Sequence, residues 1–314
     1  MKKTLTIATR ESALAMWQAE FVAERLREAD SSLSVELLGL TTKGDQWLSS
    51  PLSEVGGKGL FVKELEQAML AGRADVAVHS CKDLPAELPD GFALLATGYR
   101  ADVRDALVSP KYCTLAELPT GAIVGTSSLR RGSQLLARRS DLVLKPVRGN
   151  VGTRLSKLDS GDYDALVLAA AGLDRLGLGA RVTEHFSVAD SLPAAGQGAL
   201  SIECLAAAPD WLLEVLGELN DQSIAACVRA ERAVSRELGA DCSMPLAAHA
   251  LLDEAGQIQL QALVGALDGS VLVRSEARGS ADDPEAIGAT AARALLRDGA
   301  QPLLAEARKL AAEK

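Results

Sequence analysis

Two hydrophobic rhythms alternate along the first eighty positions. A short apolar run at 5–8, bounded by charge, predicts a strand. From 12 to 29 the apolar residues Leu14, Trp17, Phe21, Val22 and Leu26 recur at three- and four-residue spacing, which predicts a helix with one face on a sheet and Ser12 as its N-cap. Strands at 35–40 and 75–79 and a helix at 61–71 follow from the same reading. The polar, glycine-rich stretch 42–59 between them has the length of a lid over a site. The pattern returns after residue 100 as strand 122–125, helix 128–139, strand 142–147, helix 150–159, strand 165–169 and helix 171–177. Such alternation predicts parallel sheets covered on both faces. The fold class expected is therefore α/β, two doubly wound domains with a cleft at the strand C-terminal ends.

A hinge followed by a strand is expected at 193–203, and the pattern changes after about residue 219. A helix at 222–238, strands at 246–252, 258–264 and 270–275, and two Ala/Leu-rich helices predict a smaller α+β C-terminal domain. The boundaries expected are 1–99 with 200–218, then 100–199, then 219–314.

A length of 314 residues suits several cores rather than one, and 48% hydrophobic with 24% charged residues is the composition of a soluble globular protein. Lys2 and Lys3 precede a short apolar run, but Arg10 and Glu11 end it too soon for a signal peptide. No segment reaches the about 18 apolar residues of a membrane span, so a cytoplasmic location is expected. Five cysteines without a C-x-x-C pair and three scattered histidines argue against a disulfide framework and against a metal site. Aromatic residues at 3% and a pI near 5.0 argue against a nucleic-acid partner. No apolar stripe is left over for a subunit interface, and a monomer is expected.

Charge changes the picture locally. The chain is acidic, at net −9, yet 130–157 carries Arg130, Arg131, Arg138, Arg139, Lys145, Arg148, Arg154 and Lys157 against a single acid, Asp141. Gly125-Thr126-Ser127-Ser128-Leu129-Arg130-Arg131 and Arg148-Gly149-Asn150 each stand where a strand gives way to a helix, a place where free N–H groups favour anions. Arg130, Arg131, Arg148 and Arg154 are read as ligand-facing, Arg138 and Arg139 as a solvated helix face. Ser80-Cys81-Lys82-Asp83-Leu84-Pro85 lies at the mouth of a strand, either as a turn with a surface ion pair or as part of a site. Gly56-Gly57-Lys58-Gly59 fails the phosphate-loop pattern, with no Ser or Thr after the lysine. Cys242 sits among Asp241, Ser243 and Pro245 in a loop, either as a packing thiol or as a nucleophile or attachment point.

Seven blocks in order resemble the porphobilinogen deaminase family over essentially the whole chain: 8–15, 56–61, 79–85, 125–131, Arg148-Gly149-Asn150-Val151, Gly196-Gln197-Gly198-Ala199 and Cys242-x-x-Pro245. The resemblance implies a three-domain enzyme that joins four porphobilinogen molecules head to tail, with loss of ammonia, and hydrolyses the product to hydroxymethylbilane. It implies a dipyrromethane primer on Cys242 through a thioether. Lys82, Asp83, Ser80, Thr126, Ser128, Arg130, Arg131, Arg154 and Gly198 would hold that primer. Arg10, Ser12, Gln18, Arg148, Arg154, Arg175, Gln197 and Lys58 would hold substrate, and Asp83 would be the catalytic residue. Each pyrrole carries an acetate and a propionate, which suits arginine forks, and the positive charge that develops on pyrrole nitrogen suits a facing carboxylate. Hinges near 99 and 199 would accommodate a lengthening product.

Two departures stand out. Ala240-Asp241 precedes the cysteine where the family usually has a small residue, and Glu54 stands where many members have lysine. An acid beside the thiol opposes thiolate formation. The rival reading is a two-lobed anion- or dicarboxylate-binding protein, since periplasmic solute-binding proteins share such lobes.

Overall fold

Residues 3–42 and 62–312 are described by the structure, a computed structural model. Expectations for 43–61, including the lid, Glu54 and Lys58, lie outside the described residues. Five strands make the first sheet: β1 (Thr4–Arg10), β2 (Ser34–Leu40), β3 (Val76–Ser80), β4 (Phe92–Arg100) and β10 (Ala199–Leu205), in the order β2-β1-β3-β10-β4. The second sheet comprises β5 (Asp105–Val108), β6 (Ile123–Gly125), β7 (Val143–Lys145), β8 (Ala165–Ala169) and β9 (Glu184–His185), in the order β7-β6-β8-β5-β9. The third holds β11 (Leu246–Leu252), β12 (Gln257–Gly265) and β13 (Leu272–Ser280), all antiparallel.

The helices are α1 (Ala13–Ala29), α2 (Lys63–Leu70), α3 (Leu129–Arg138), α4 (Val151–Asp159), α5 (Ala170–Arg175), α6 (Asp210–Glu218), α7 (Gln222–Glu237), α8 (Pro284–Arg297) and α9 (Ala300–Ala312). None in the described residues is long and apolar enough to cross a membrane.

The two larger sheets are mixed, not parallel as the alternation predicted. β1 runs parallel to β2 and β3, but β10 lies antiparallel between β3 and β4. In the second sheet β6 is parallel to β7 and β8, whereas β5 is antiparallel to β8 and β9. The cause is the chain's route. It leaves the first sheet after β4, builds the second, and returns as β10 in the opposite sense. The two crossings touch, with Ala101 N–H donating to Gly198 O at 3.1 Å.

Gly198 has φ +85, and a Cβ there would stand 2.6 Å from Ala101 O, so only glycine fits the crossing. Tyr99, one residue before the end of β4, has φ +34.

On α1 the buried face is Ala15, Gln18, Ala19, Val22, Ala23 and Leu26, rotated from the expected stripe. Small alanines let the helix approach the sheet. Trp17 and Phe21 instead lie at the flank, their rings stacked at 5.3 Å, and Phe21 packs on Tyr99 at 4.7 Å. Ser12 caps the helix as expected, accepting from the Ala15 N–H. In the third unit α7 and α8 cover the sheet around Val234, Leu260, Val264 and Leu295.

Candidate active site

β3 ends at Ser80, and a single tight turn, Cys81–Asp83, carries Lys82 and Asp83 into the space between the sheets. Cys81 is buried behind them, while Asp83 is exposed to the cleft. Across the cleft, β6 passes into α3, whose N-cap Ser128 accepts from Arg131 N–H. On α4, Asn150 caps Thr153 N–H, and Arg154 is tied by Nε to Gly149 O at 2.8 Å. From the third unit the loop before β11 brings Cys242. Arg10, Ser12, Ser80, Lys82, Asp83, Ser128, Arg130, Arg131, Arg148, Arg154, Arg175, Gln197, Gly198 and Cys242 all line one cleft of about 390 Å³.

Gln18 lines a smaller adjoining cavity and donates through Nε2 to Ser80 Oγ at 2.8 Å. Thr126 is buried and is not among the residues lining the cleft; its Oγ1 accepts from Ser128 N–H, so it shapes the turn. Sequence reasoning missed Asp105. Arg130 Nη1 donates to Asp105 Oδ2 at 2.6 Å and Arg131 Nε to Asp105 Oδ1 at 2.9 Å, with Gln197 Nε2 on Asp105 Oδ1 at 3.0 Å. Part of the donor capacity read as ligand-facing is therefore spent on a buried carboxylate.

Burial alone would raise Asp105, but the two guanidiniums outweigh it and hold it far below the usual carboxylate range. Arg232, also missed, reaches the cleft from α7 and donates to Pro85 O at 2.8 Å. It lies off the apolar stripe of its helix and carries no motif. Arg139, read as solvated, pairs with Asp141 at 2.7 Å, and exposed Arg138 lies over the Phe186 ring at 5.3 Å.

The cleft has a surplus of cations. Burial, then the like charge of Arg131, bring Lys82 down to about 8 and Arg154 down to about 10. Arg175, also brought to about 10 by burial, lies over Trp17 and Tyr99 and donates to Gly198 O at 2.7 Å, while its buried Nε has no partner among the described residues. Groups arranged so await anions. Lys82 loses its charge as pH rises through about 8, so porphobilinogen binding to the unprimed protein is expected to weaken there. Calorimetric titrations on either side of that pH check it; equal affinities would be the contrary result. Cys242 is exposed and lines the cleft wall. Burial, then the charges of Asp83 and Asp241, push its thiol up to about 12. Among the described residues no cluster of three or more His, Cys, Asp or Glu could hold a metal ion.

Two α/β units enclose a cationic cleft and a third unit brings a thiol to its wall, an arrangement suited to holding a polyanion beside a sulfur. The model for porphobilinogen deaminase, dipyromethane cofactor binding domain, matches residues 5–212, and that for porphobilinogen deaminase, C-terminal domain, matches 225–297. The porphobilinogen deaminase of Thiobacillus denitrificans is 57% identical over 301 residues, covering 96% of this chain and 98% of that one. That of Bordetella parapertussis is 60% identical over 302 residues, 96% of each chain, and that of Neisseria meningitidis serogroup A is 56% identical over the same length and coverage. Among solved structures, a TRAP periplasmic solute binding protein from Desulfovibrio salexigens is similar with TM-score 0.43 and 14% identity, covering 70% of this chain and 73% of that one.

This chain belongs to the porphobilinogen deaminase family. It is a transferase of tetrapyrrole biosynthesis that builds hydroxymethylbilane from four porphobilinogen molecules on a dipyrromethane cofactor. The reading as a binding protein without catalysis gives way to this one.

Proposed function

We propose a division of labour in which Cys242 carries the cofactor, Asp83 is the catalytic carboxylate and the arginines hold the carboxylates of both cofactor and substrate. One observation carries the reading. Asp83 and Cys242 come from sequence-distant segments, yet line the same cleft closely enough for the charge of one to bear on the thiol of the other. The residues fit the cofactor: a two-ring pyrrole with four carboxylates meets a cleft lined by more cations than acids, an Arg175 Nε with no partner among the described residues, and a thiol at the wall. When bound, dipyrromethane supplies the pyrrole carbon from which chain growth starts.

The protein's own groups do the rest. Ser80, Lys82, Ser128, Arg130, Arg131, Arg154 and Gly198 would hold the cofactor, with Thr126 fixing the turn. Arg10, Ser12, Gln18, Arg148, Arg154, Arg175 and Gln197 would orient substrate, and Lys58 would join them. Asp83 accepts hydrogen bonds from pyrrole N–H groups and faces the positive charge that grows on ring nitrogen during coupling. Fixed geometry replaces encounter in solution, a large part of the gain. We further propose that the chain acts as a cytoplasmic monomer without nucleic acid, and that its units divide as 1–99 with 200–218, 100–199 and 219–314. Separate hydrophobic clusters around Ile7, Leu107 and Val264 support that division.

Intact mass spectrometry tests the assignment of Cys242. The protein is expected to exceed its sequence mass by two porphobilinogen units less their ammonia, localised to the Cys242 peptide, and Cys242→Ala is expected to lack the excess. A Cys242→Ala protein that keeps the added mass would refute it. Because Asp241 helps to raise the thiol, Asp241→Gly is expected to take up the cofactor faster at neutral pH.

A further inference from the structure

Beneath the cleft, His79 on β3 and Glu203 on β10 meet inside the first sheet. His79 Nε2 lies 2.9 Å from Glu203 Oε2, and the residues are 7% and 0% exposed. The strands pair Ser201 with His79 and Glu203 with Ala77, so the two side chains share a face. Glu203 Oε1 has no hydrogen-bond partner among the described residues. A buried ionisable pair with an open lone pair is costly unless it serves a purpose.

The charged surroundings are specific. Half-buried Glu66 on α2 is pushed up to about 7 by burial and by the charge of Glu203, with exposed Lys63 opposing. Glu64 lies on the same helix, and Cys204 on β10 is raised to about 11 by burial and then Glu203. On its other neighbours, His79 borders a cavity of about 60 Å³ shared with Arg10, Ser12, Gln18, Ser80 and Asp83. Such a cavity is large and polar enough to hold water.

The reaction sets a requirement that Asp83 cannot meet alone. In each round a bond forms between a pyrrole ring carbon and the methylene carbon of porphobilinogen. The C–N bond breaks with its electron pair going to nitrogen, and the ring carbon gives up a proton. One proton leaves the ring, and one is taken by ammonia departing as ammonium. The two events are separated in time. A carboxylate that must stay negative to face a cationic ring loses that effect if it keeps the proton.

We propose that His79, held by Glu203, is a positioning residue that stores the ring proton behind Asp83. The proton passes from Asp83 through the shared cavity to the imidazole, rests there as imidazolium against the Glu203 carboxylate, and is returned through Asp83 to the nitrogen that departs in the next round. This rests on the assignment of Asp83 as the carboxylate at the rings.

The test does not need turnover. The chain has three histidines, so the ring resonances of the unprimed protein can be assigned with His185→Gln and His249→Gln. The His79 titration midpoint is expected to move to lower pH in Asp83→Asn, because a facing negative charge has gone. An unmoved midpoint overturns the coupling. In the holoenzyme, His79→Gln is expected to lower kcat about 100-fold, leave KM unchanged and remove one group from the acid limb of the kcat profile. A profile of wild-type shape, whatever its height, overturns the proposal.

Should His79→Gln not fold, Glu66→Gln serves. Neutral His79 is the accepting form, and loss of a nearby acid lowers its midpoint, so the acid limb should shift to lower pH. An unshifted limb counts against the proposal. The two readings separate cleanly. Wild-type turnover in Asp83→Asn with a moved His79 midpoint removes the role of Asp83, whereas an inactive Asp83→Asn with an unmoved midpoint removes that of His79.

Discussion

Asp83→Asn is expected to fold, keep its cationic cleft and turn over about 1,000-fold more slowly, the range seen when a preorganised electrostatic partner of a transition state is lost. Asparagine keeps the size of the side chain and can still accept from a pyrrole N–H, so substrate position is disturbed little. What disappears is the negative charge opposite a ring nitrogen that becomes positive. Asp83 is exposed and no hydrogen bond among the described residues ties its side chain into the fold, so stability should hardly change. The measurement is single-turnover ammonia release from the primed variant, beside its thermal midpoint. A rate within about tenfold of wild type would exclude the catalytic assignment, since even one general acid or base contributes more than that.

The largest loss of stability is expected from Asp105→Asn, at about 3–5 kcal/mol. Asp105 is fully buried and accepts from Arg130, Arg131, Gln197 and Ser191. Neutralising it leaves two guanidiniums side by side in the interior without compensation. Its folded carboxyl titrates far below the ordinary range, so its contribution is complete above the unfolded value, about 3.9, and is lost only as pH falls toward the folded one. The deficit of the variant should therefore be constant across neutral pH. Urea denaturation of both proteins measures it, and a difference under about 1 kcal/mol would mean that the arginines find other partners.

Much of this architecture is written locally and can be read there. The extent of α1 and its Ser12 cap, the two strand-to-helix turns with their arginines, and the strand mouth at Lys82 and Asp83 are short-range patterns, and the structure has them where the chain implied; the buried face of α1 is the exception, turned from Leu14, Trp17 and Phe21 toward alanines. β4 and β5 escaped notice because neither alternates cleanly and β5 spans only Asp105–Val108. The antiparallel return of β10 could not be read at all, because strand direction depends on the path of the 98 residues between Arg100 and Ala199, not on any local rhythm.

The site divides in the same way. Motif residues were legible, whereas Asp105, Arg232 and the His79–Glu203 pair depend on partners far away in sequence. The arginine pair shows the limit most clearly. An excess of cations is visible in the chain, but the buried acid that neutralises part of it is 25 residues from Arg130, at the head of an unremarked strand.

The paired crossings between the two larger sheets have a mechanical meaning. A single connecting strand would let the units tilt and twist like a ball joint. Here two strands run side by side, tied by Ala101 N–H to Gly198 O, and the same carbonyl accepts from Arg175. Two adjacent tethers are expected to leave one easy axis of rotation, so the cleft would widen as a door does rather than shear. The guanidinium of Arg175 is anchored at that axis, where displacement is least.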